Sequence, residues 1–204
     1  MMYQQYKSGW VEVVCGCMFA GKTEELIRRI KTLQYGRKKV KVFKPRIDNR
    51  YAIDEIASHS GYKVSCICID EAKDILKYIE DDDEVICVDE VQFLDKDIVL
   101  ISEALADEGK RVILAGLDKD FRGLSFGCMS DLLIRAEFVT KLSAVCNKCG
   151  SPATRTQRMI NGHPANYNDP IILVGALEAY EPRCRHCHEV LGAPVINIKK
   201  NTSY

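Results

Sequence analysis

Apolar residues over the first 115 positions of the chain fall into short runs: Val11-Glu12-Val13-Val14-Cys15, Val40-Lys41-Val42-Phe43, Val85-Ile86-Cys87-Val88 and Val112-Ile113-Leu114-Ala115. Each is mostly β-branched and mostly unbroken, the pattern of strands in a parallel sheet covered on both faces. A weaker run, Cys66 to Ile69, predicts a further strand. Between the runs the period lengthens to that of a helix. Lys22 to Tyr35 aligns Leu26, Ile27, Ile30 and Leu33 on one stripe, with Arg28, Arg29 and Lys31 off it, and Gly36 follows as its C′ residue. Glu71 to Glu80 groups Ile75, Leu76 and Ile79. Asp97 to Glu108 groups Ile98, Ile101, Ala104 and Leu105 and ends at Gly109, and Asp131 to Phe138 predicts one more short helix. Strands alternating with helices predict a right-handed, doubly wound α/β core.

The pattern changes near residue 140. Turn residues (Asn161-Gly162, His163-Pro164, Asn168-Asp169-Pro170), short β-like pieces and paired cysteines replace it. The expected division is residues 1–139 as the α/β unit, 140–191 as a small metal-held domain, and 192–204 as a frayed tail.

Composition narrows the classes. The chain has 204 residues, 47% apolar and 28% charged, which excludes disorder, collagen and coiled coil as its main character. No run approaches the ~18 apolar residues of a membrane span. The stretch Met1 to Trp10 lacks the apolar core of a secretory signal, so a cytoplasmic location is expected. The 29 basic residues balance 29 acidic ones, which argues against bulk nucleic-acid binding. The balance is uneven: Lys22 to Arg50 carries 11 basic and 3 acidic residues, Asp70 to Glu108 carries 3 and 15. Solvated helix faces explain most such runs, although a basic stretch beside a phosphate site also suits a polyanionic ligand.

Gly16-Cys17-Met18-Phe19-Ala20-Gly21-Lys22-Thr23 matches the spacing G-x-x-x-x-G-K-[ST]. The glycines let backbone amides curl around an anion, and the following helix aims the positive end of its dipole at it. Lys22 reaches the β- and γ-phosphates, and the Thr23 hydroxyl suits Mg²⁺. A strand precedes the loop and an amphipathic helix follows, so this is a phosphate loop in its proper setting. The run Val85 to Val88 ends in Asp89-Glu90. An acid at that strand end holds Mg²⁺ in phosphate-loop enzymes, which assigns Asp89. Glu90 diverges from it and suits acceptance of a proton from a nucleophile.

Cys146 pairs with Cys149 and Cys184 with Cys187 in two C-x-x-C motifs, 34 residues apart. In a reducing compartment they read as four thiolate ligands of a structural zinc, with no open coordination position. His186 and His188 flank Cys187 as alternative ligands. The other six cysteines (Cys15, Cys17, Cys66, Cys68, Cys87, Cys128) read as small buried hydrophobes.

These features in order resemble the cytosolic-type (type II) thymidine kinase family. The resemblance also takes in Asp48-Asn49-Arg50-Tyr51 with Ser58-His59-Ser60, Asp89-Glu90-Val91-Gln92-Phe93, and Leu117-Asp118-Lys119-Asp120-Phe121 with Phe126-Gly127. Val174-Gly175-Ala176 leading to Tyr180 completes it. It implies a phosphate-loop NTPase-type doubly wound sheet with a small zinc-binding C-terminal domain, and transfer of the γ-phosphate of ATP to the 5′-hydroxyl of thymidine. It implies Glu90 as general base, with Lys22 catalytic. Around the nucleotide it puts Gly16, Cys17, Met18, Phe19, Ala20, Gly21, Lys22, Thr23, Asp48, Asp89, Glu90, Val91 and Gln92. Around the nucleoside it puts Phe93, Leu117, Phe121, Thr156, Ile171, Ile172, Leu173, Val174, Gly175 and Tyr180. Phe121 is implied to pack on the thymine ring, under a loop that the zinc site anchors. Family membership further implies a homotetramer and feedback inhibition by thymidine triphosphate. Asp48 to Gly61 is expected to be a mobile cover on the opposite side. The rival classes are a zinc-ribbon ATPase acting on nucleic acid, which would need more than this one lobe, and a nucleotide sensor without turnover.

Overall fold

The computed structural model describes residues 9–47, 55–57, 61, 63–172 and 178–195. A six-stranded, wholly parallel sheet forms its centre. Its strands are β1 (Trp10–Gly16), β2 (Val40–Pro45), β5 (Ile67–Ile69), β6 (Val85–Val88), β7 (Arg111–Leu117) and β8 (Phe138–Leu142). They stand in the order β5-β2-β6-β7-β1-β8. The segment between β2 and β5 holds a short antiparallel pair, β3 (Glu55–Ala57) with β4 (Lys63–Ser65). Three α-helices flank the sheet, one on one face and two on the other. Helix α1 (Lys22–Tyr35) buries Leu26, Ile27 and Ile30 against Val14, Val42, Cys87 and Ile113. On the other face, α2 (Asp97–Asp107) and α3 (Met129–Arg135) cover Val13, Cys15, Ile86, Val88 and Leu114. Each central strand thus meets a core on both sides, which is why its sequence runs apolar without alternation.

The edge strand β8 was not foreseen. Where a helix was expected through Phe138, α3 ends at Arg135 and the chain returns to the sheet beside β1. Phe138, Thr140 and Leu142 are half-buried while Val139 and Lys141 are exposed. One covered face gives an alternating pattern, weaker than the runs that marked the other strands. The segment after β5 forms a 3-10 helix over Ala72–Lys77, shorter than the expected helix to Glu80.

Helix α1 ends as expected, but a different residue makes the turn. Gly36 keeps φ −74°, and Arg37 takes the left-handed conformation at φ 59°. The Arg37 N–H donates to Gln34 O and the Lys38 N–H to Leu33 O, the two bonds of a Schellman motif. After α2 the same motif places Gly109 at the left-handed position, as its sequence indicates.

The remaining chain forms a β-rich module. Strand β9 (Ala144–Val145) pairs with β10 (Pro152–Ala153), and β11 (Arg155–Ile160) lies between β12 (His163–Pro164) and β13 (Glu178–Arg183), all antiparallel. Buried Glu12 ties the sheet to its helix layer: Trp10 Nε1, Arg29 Nη1 and Arg111 Nε all donate to its carboxylate. Of the six cysteines read as buried hydrophobes, five are buried and Cys68 is half-exposed.

Candidate active site

The phosphate loop begins where β1 can no longer carry a side chain. A Cβ on Gly16 would stand 2.6 Å from the Leu142 carbonyl oxygen of β8, so close strand approach requires glycine there. Phe19 at φ 64° and Gly21 at φ 81° then bend the chain into the first turn of α1. Lys22 is only 8% exposed, and its Nζ lies inside the curl, donating to Cys17 O at 2.9 Å. The amides of the first turn of α1, which have no acceptor within the helix, and an ammonium at the loop's centre make an anion cradle. The C-terminal module closes its outer side: Met18 N–H donates to Thr156 Oγ1 (3.0 Å) and the Cys17 thiol to Ala153 O (3.3 Å).

Across from the cradle, β6 delivers the two carboxylates. The Asp89 N–H still donates to Phe43 O of β2 (3.0 Å), and its carboxylate accepts from Thr23 Oγ1 at 3.1 Å. Glu90 then adopts φ 51°, ψ 38°, a left-handed conformation costing a non-glycine residue roughly 1–2 kcal/mol. That turn sends adjacent acids to different places. Asp89 faces the phosphate loop, whereas Glu90 lines a separate cavity. Burial, and next to it the negative charge of Glu90, push the Asp89 carboxyl well above the usual carboxylate range. The Asp89 carboxylate and the Thr23 hydroxyl set two hard oxygen donors side by side at the phosphate loop, a donor set that fits a hard divalent cation held by Thr23 and Asp89.

The cavity measures about 230 Å³. Glu90 and the expected residues Phe93, Leu117, Phe121, Thr156, Ile171, Ile172 and Tyr180 all line it. Ile47, Lys119, Asp120 and Phe126 line it too, although none was expected in a binding role. Phe126 reaches the wall because residues 118–126 fold back on themselves, with Asp120 N–H donating to Leu124 O and Phe126 N–H to Asp118 O. It meets Phe93 edge-to-face with ring centroids 5.4 Å apart. That contact joins residues far apart in sequence, so local patterning gave no sign of it. Phe121 is held from behind. The Arg158 guanidinium lies 5.1 Å from its ring centroid, Arg158 Nη1 donates to Pro170 O, and His188 Nε2–H donates to the Phe121 carbonyl at 2.8 Å. Asp48, Leu173, Val174 and Gly175 lie outside the described residues. The Gln92 side chain turns away from the phosphate loop: its amide bonds Glu90 and the Leu117 N–H.

The sulfurs of Cys146, Cys149, Cys184 and Cys187 lie within 4.8 Å of one another, and those of Cys149 and Cys184 are 3.6 Å apart. Tetrahedral zinc with bonds of about 2.3 Å separates its sulfur ligands by just under 4 Å, so the four thiols fit that ion. Each C-x-x-C turn folds back on its first cysteine: Gly150 N–H donates to Cys146 O, and Cys187 and His188 N–H donate to Cys184 O. Burial opposes ionisation of Cys146, but backbone hydrogen bonding from Cys184, Lys148 and Cys149 outweighs it and holds the thiol below its usual range. No histidine belongs to this cluster among the described residues, and His188 is engaged with Phe121.

A parallel sheet, an anion cradle at a strand–helix turn and an acid pair on a nearby strand end define a phosphate-loop nucleotide-binding enzyme with a zinc-type C-terminal module. A family model described as thymidine kinase matches residues 9–188, and the chain belongs to that family. It is therefore an ATP-dependent kinase. Among the described residues no helix is long and apolar enough to cross a membrane.

Proposed function

We propose that the chain transfers the γ-phosphoryl group of ATP to the 5′-hydroxyl of thymidine, giving thymidine monophosphate, with Glu90 as general base. The observation that carries this reading is the double position of the acid pair. Asp89 bonds the phosphate-loop threonine at 3.1 Å, and Glu90, the next residue, lines the aromatic cavity. A phosphate tail in the cradle and a nucleoside in the cavity would therefore meet at Glu90.

In this mechanism the loop Gly16 to Thr23 and the N-terminus of α1 bind the triphosphate, and Lys22 leaves Cys17 O for the phosphate oxygens. Thr23 and Asp89 would hold Mg²⁺, which would neutralise phosphate charge. Phe121, Ile171, Ile172 and Tyr180 flank the base. The 5′-oxygen attacks the γ-phosphorus, the bond to the ADP oxygen breaks, and Glu90 takes the hydroxyl proton. An apolar wall around the acceptor displaces water, which favours the alcohol over hydrolysis. The homotetramer and inhibition by thymidine triphosphate belong to the same proposal and rest on family membership alone.

The test is product identification. With Mg²⁺, labelled ATP and each nucleoside in turn, label should move to thymidine and yield the monophosphate. Label appearing only as inorganic phosphate, accelerated by single-stranded DNA, would favour the nucleic-acid ATPase instead.

A further inference from the structure

We propose that Gln92 is a positioning residue that aims the Glu90 carboxylate at the acceptor hydroxyl and fixes its distance from the nucleoside wall. This inference rests on the general-base reading of Glu90. Gln92 is 3% exposed and uses both ends of its amide. Its Oε1 accepts the Leu117 N–H at 3.0 Å, and its Nε2 donates to Glu90 Oε2 at 2.5 Å. The Leu117 N–H can only donate and the carboxylate can only accept, so the amide has one allowed orientation; flipping it would set like against like at both ends. Leu117 itself lines the cavity. The chain of contacts therefore runs from cavity wall through one rigid amide to the base.

The surroundings confine Gln92 at both its side chain and its backbone. A Cβ on Gly116 would stand 2.5 Å from Gln92 Oε1, and one on Gly127 would stand 2.3 Å from the Gln92 carbonyl oxygen. β7 and the 118–127 turn thus close on Gln92 from two sides, each at a distance only glycine permits. Glu90 needs such a restraint because it stands beside a second carboxylate, Asp89, that repels it, and a base misplaced by about 1 Å can lose on the order of 10²-fold in rate.

The experiment is a double-mutant cycle on kcat. Gln92→Met keeps the length of the side chain and removes its hydrogen bonds. It should lower kcat by roughly 10–100-fold while KM for thymidine and ATP shifts by no more than about 3-fold. In the Glu90→Gln background the same change should have almost no further effect, because there is no carboxylate left to aim. Gly116→Ala, which crowds Oε1 from the other side, should reproduce the kcat loss and serves if Gln92→Met does not fold. Near-normal kcat for Gln92→Met beside a crippled Glu90→Gln overturns this proposal alone. A full multiplicative loss in the double variant also overturns it, since that is the signature of general structural damage. Near-normal turnover of Glu90→Gln overturns both this proposal and the base assignment beneath it.

Discussion

Individual residues carry the chemistry through their neighbours. Residues 16–23 and the pair Asp89-Glu90 were legible because their chemistry is contiguous: a glycine-spaced loop and an acid at a strand end announce themselves within eight residues or fewer. The hydrogen bonds of the Gln92 amide were not legible, since one of them depends on a backbone N–H at Leu117 that only the β6–β7 pairing brings near. Arg158 was missed for the same reason. A fully buried arginine behind Phe121 looks from the sequence like any polar residue in a strand. One residue-scale prediction concerns acid stability. Hydrogen bonds from Arg28, and with them Arg29, hold the Glu25 carboxyl down at about 2 against an ordinary 4.5. Because the folded value lies below the unfolded one, this stabilisation is present above about pH 4.5 and fades as pH falls toward 2. Glu25→Gln should therefore lower the urea midpoint at pH 7 and flatten its decline between about pH 5 and 2. An unchanged slope in that window would show that the contacts do not act on stability.

At the scale of elements, the buried strands and α1 followed from patterning because both faces of the sheet are covered. Elements with one covered face or a tertiary cause did not. Strand β8 is the case in point, with its side chains alternating between half-buried and exposed. The end of α1 is another. Gly36 invited assignment to the left-handed position, yet the bonds to Leu33 and Gln34 place Arg37 there. Arg37 is exposed, so its substitution tests the backbone alone. Arg37→Gly should stabilise the fold by about 1 kcal/mol, relief of left-handed strain being partly offset by glycine's entropy in the unfolded chain. Equilibrium urea unfolding reads this directly, and a destabilisation of similar size would contradict the Schellman assignment.

At the scale of the whole molecule, the C-terminal module and the α/β unit build one site between them. Thr156 and Ala153 brace the phosphate loop, while His188, next to the zinc-type ligand Cys187, holds the carbonyl of Phe121. The zinc-type cluster was legible from its spacing, but this link to the aromatic wall was not, because it joins residues 67 apart in sequence. Cys149→Ser should lose zinc, measured by metal analysis, and lower Tm, and thymidine KM should rise before ATP KM does. A variant with full zinc content would contradict the ligand assignment.

The central claim is that Glu90 takes the proton of a thymidine hydroxyl while the phosphate loop holds ATP. Its most direct test is the turnover of Glu90→Gln measured beside its thymidine affinity. The account predicts a fall of ~10²–10⁴-fold in kcat with the dissociation constant for thymidine nearly unchanged. Turnover close to that of the parent protein would contradict it.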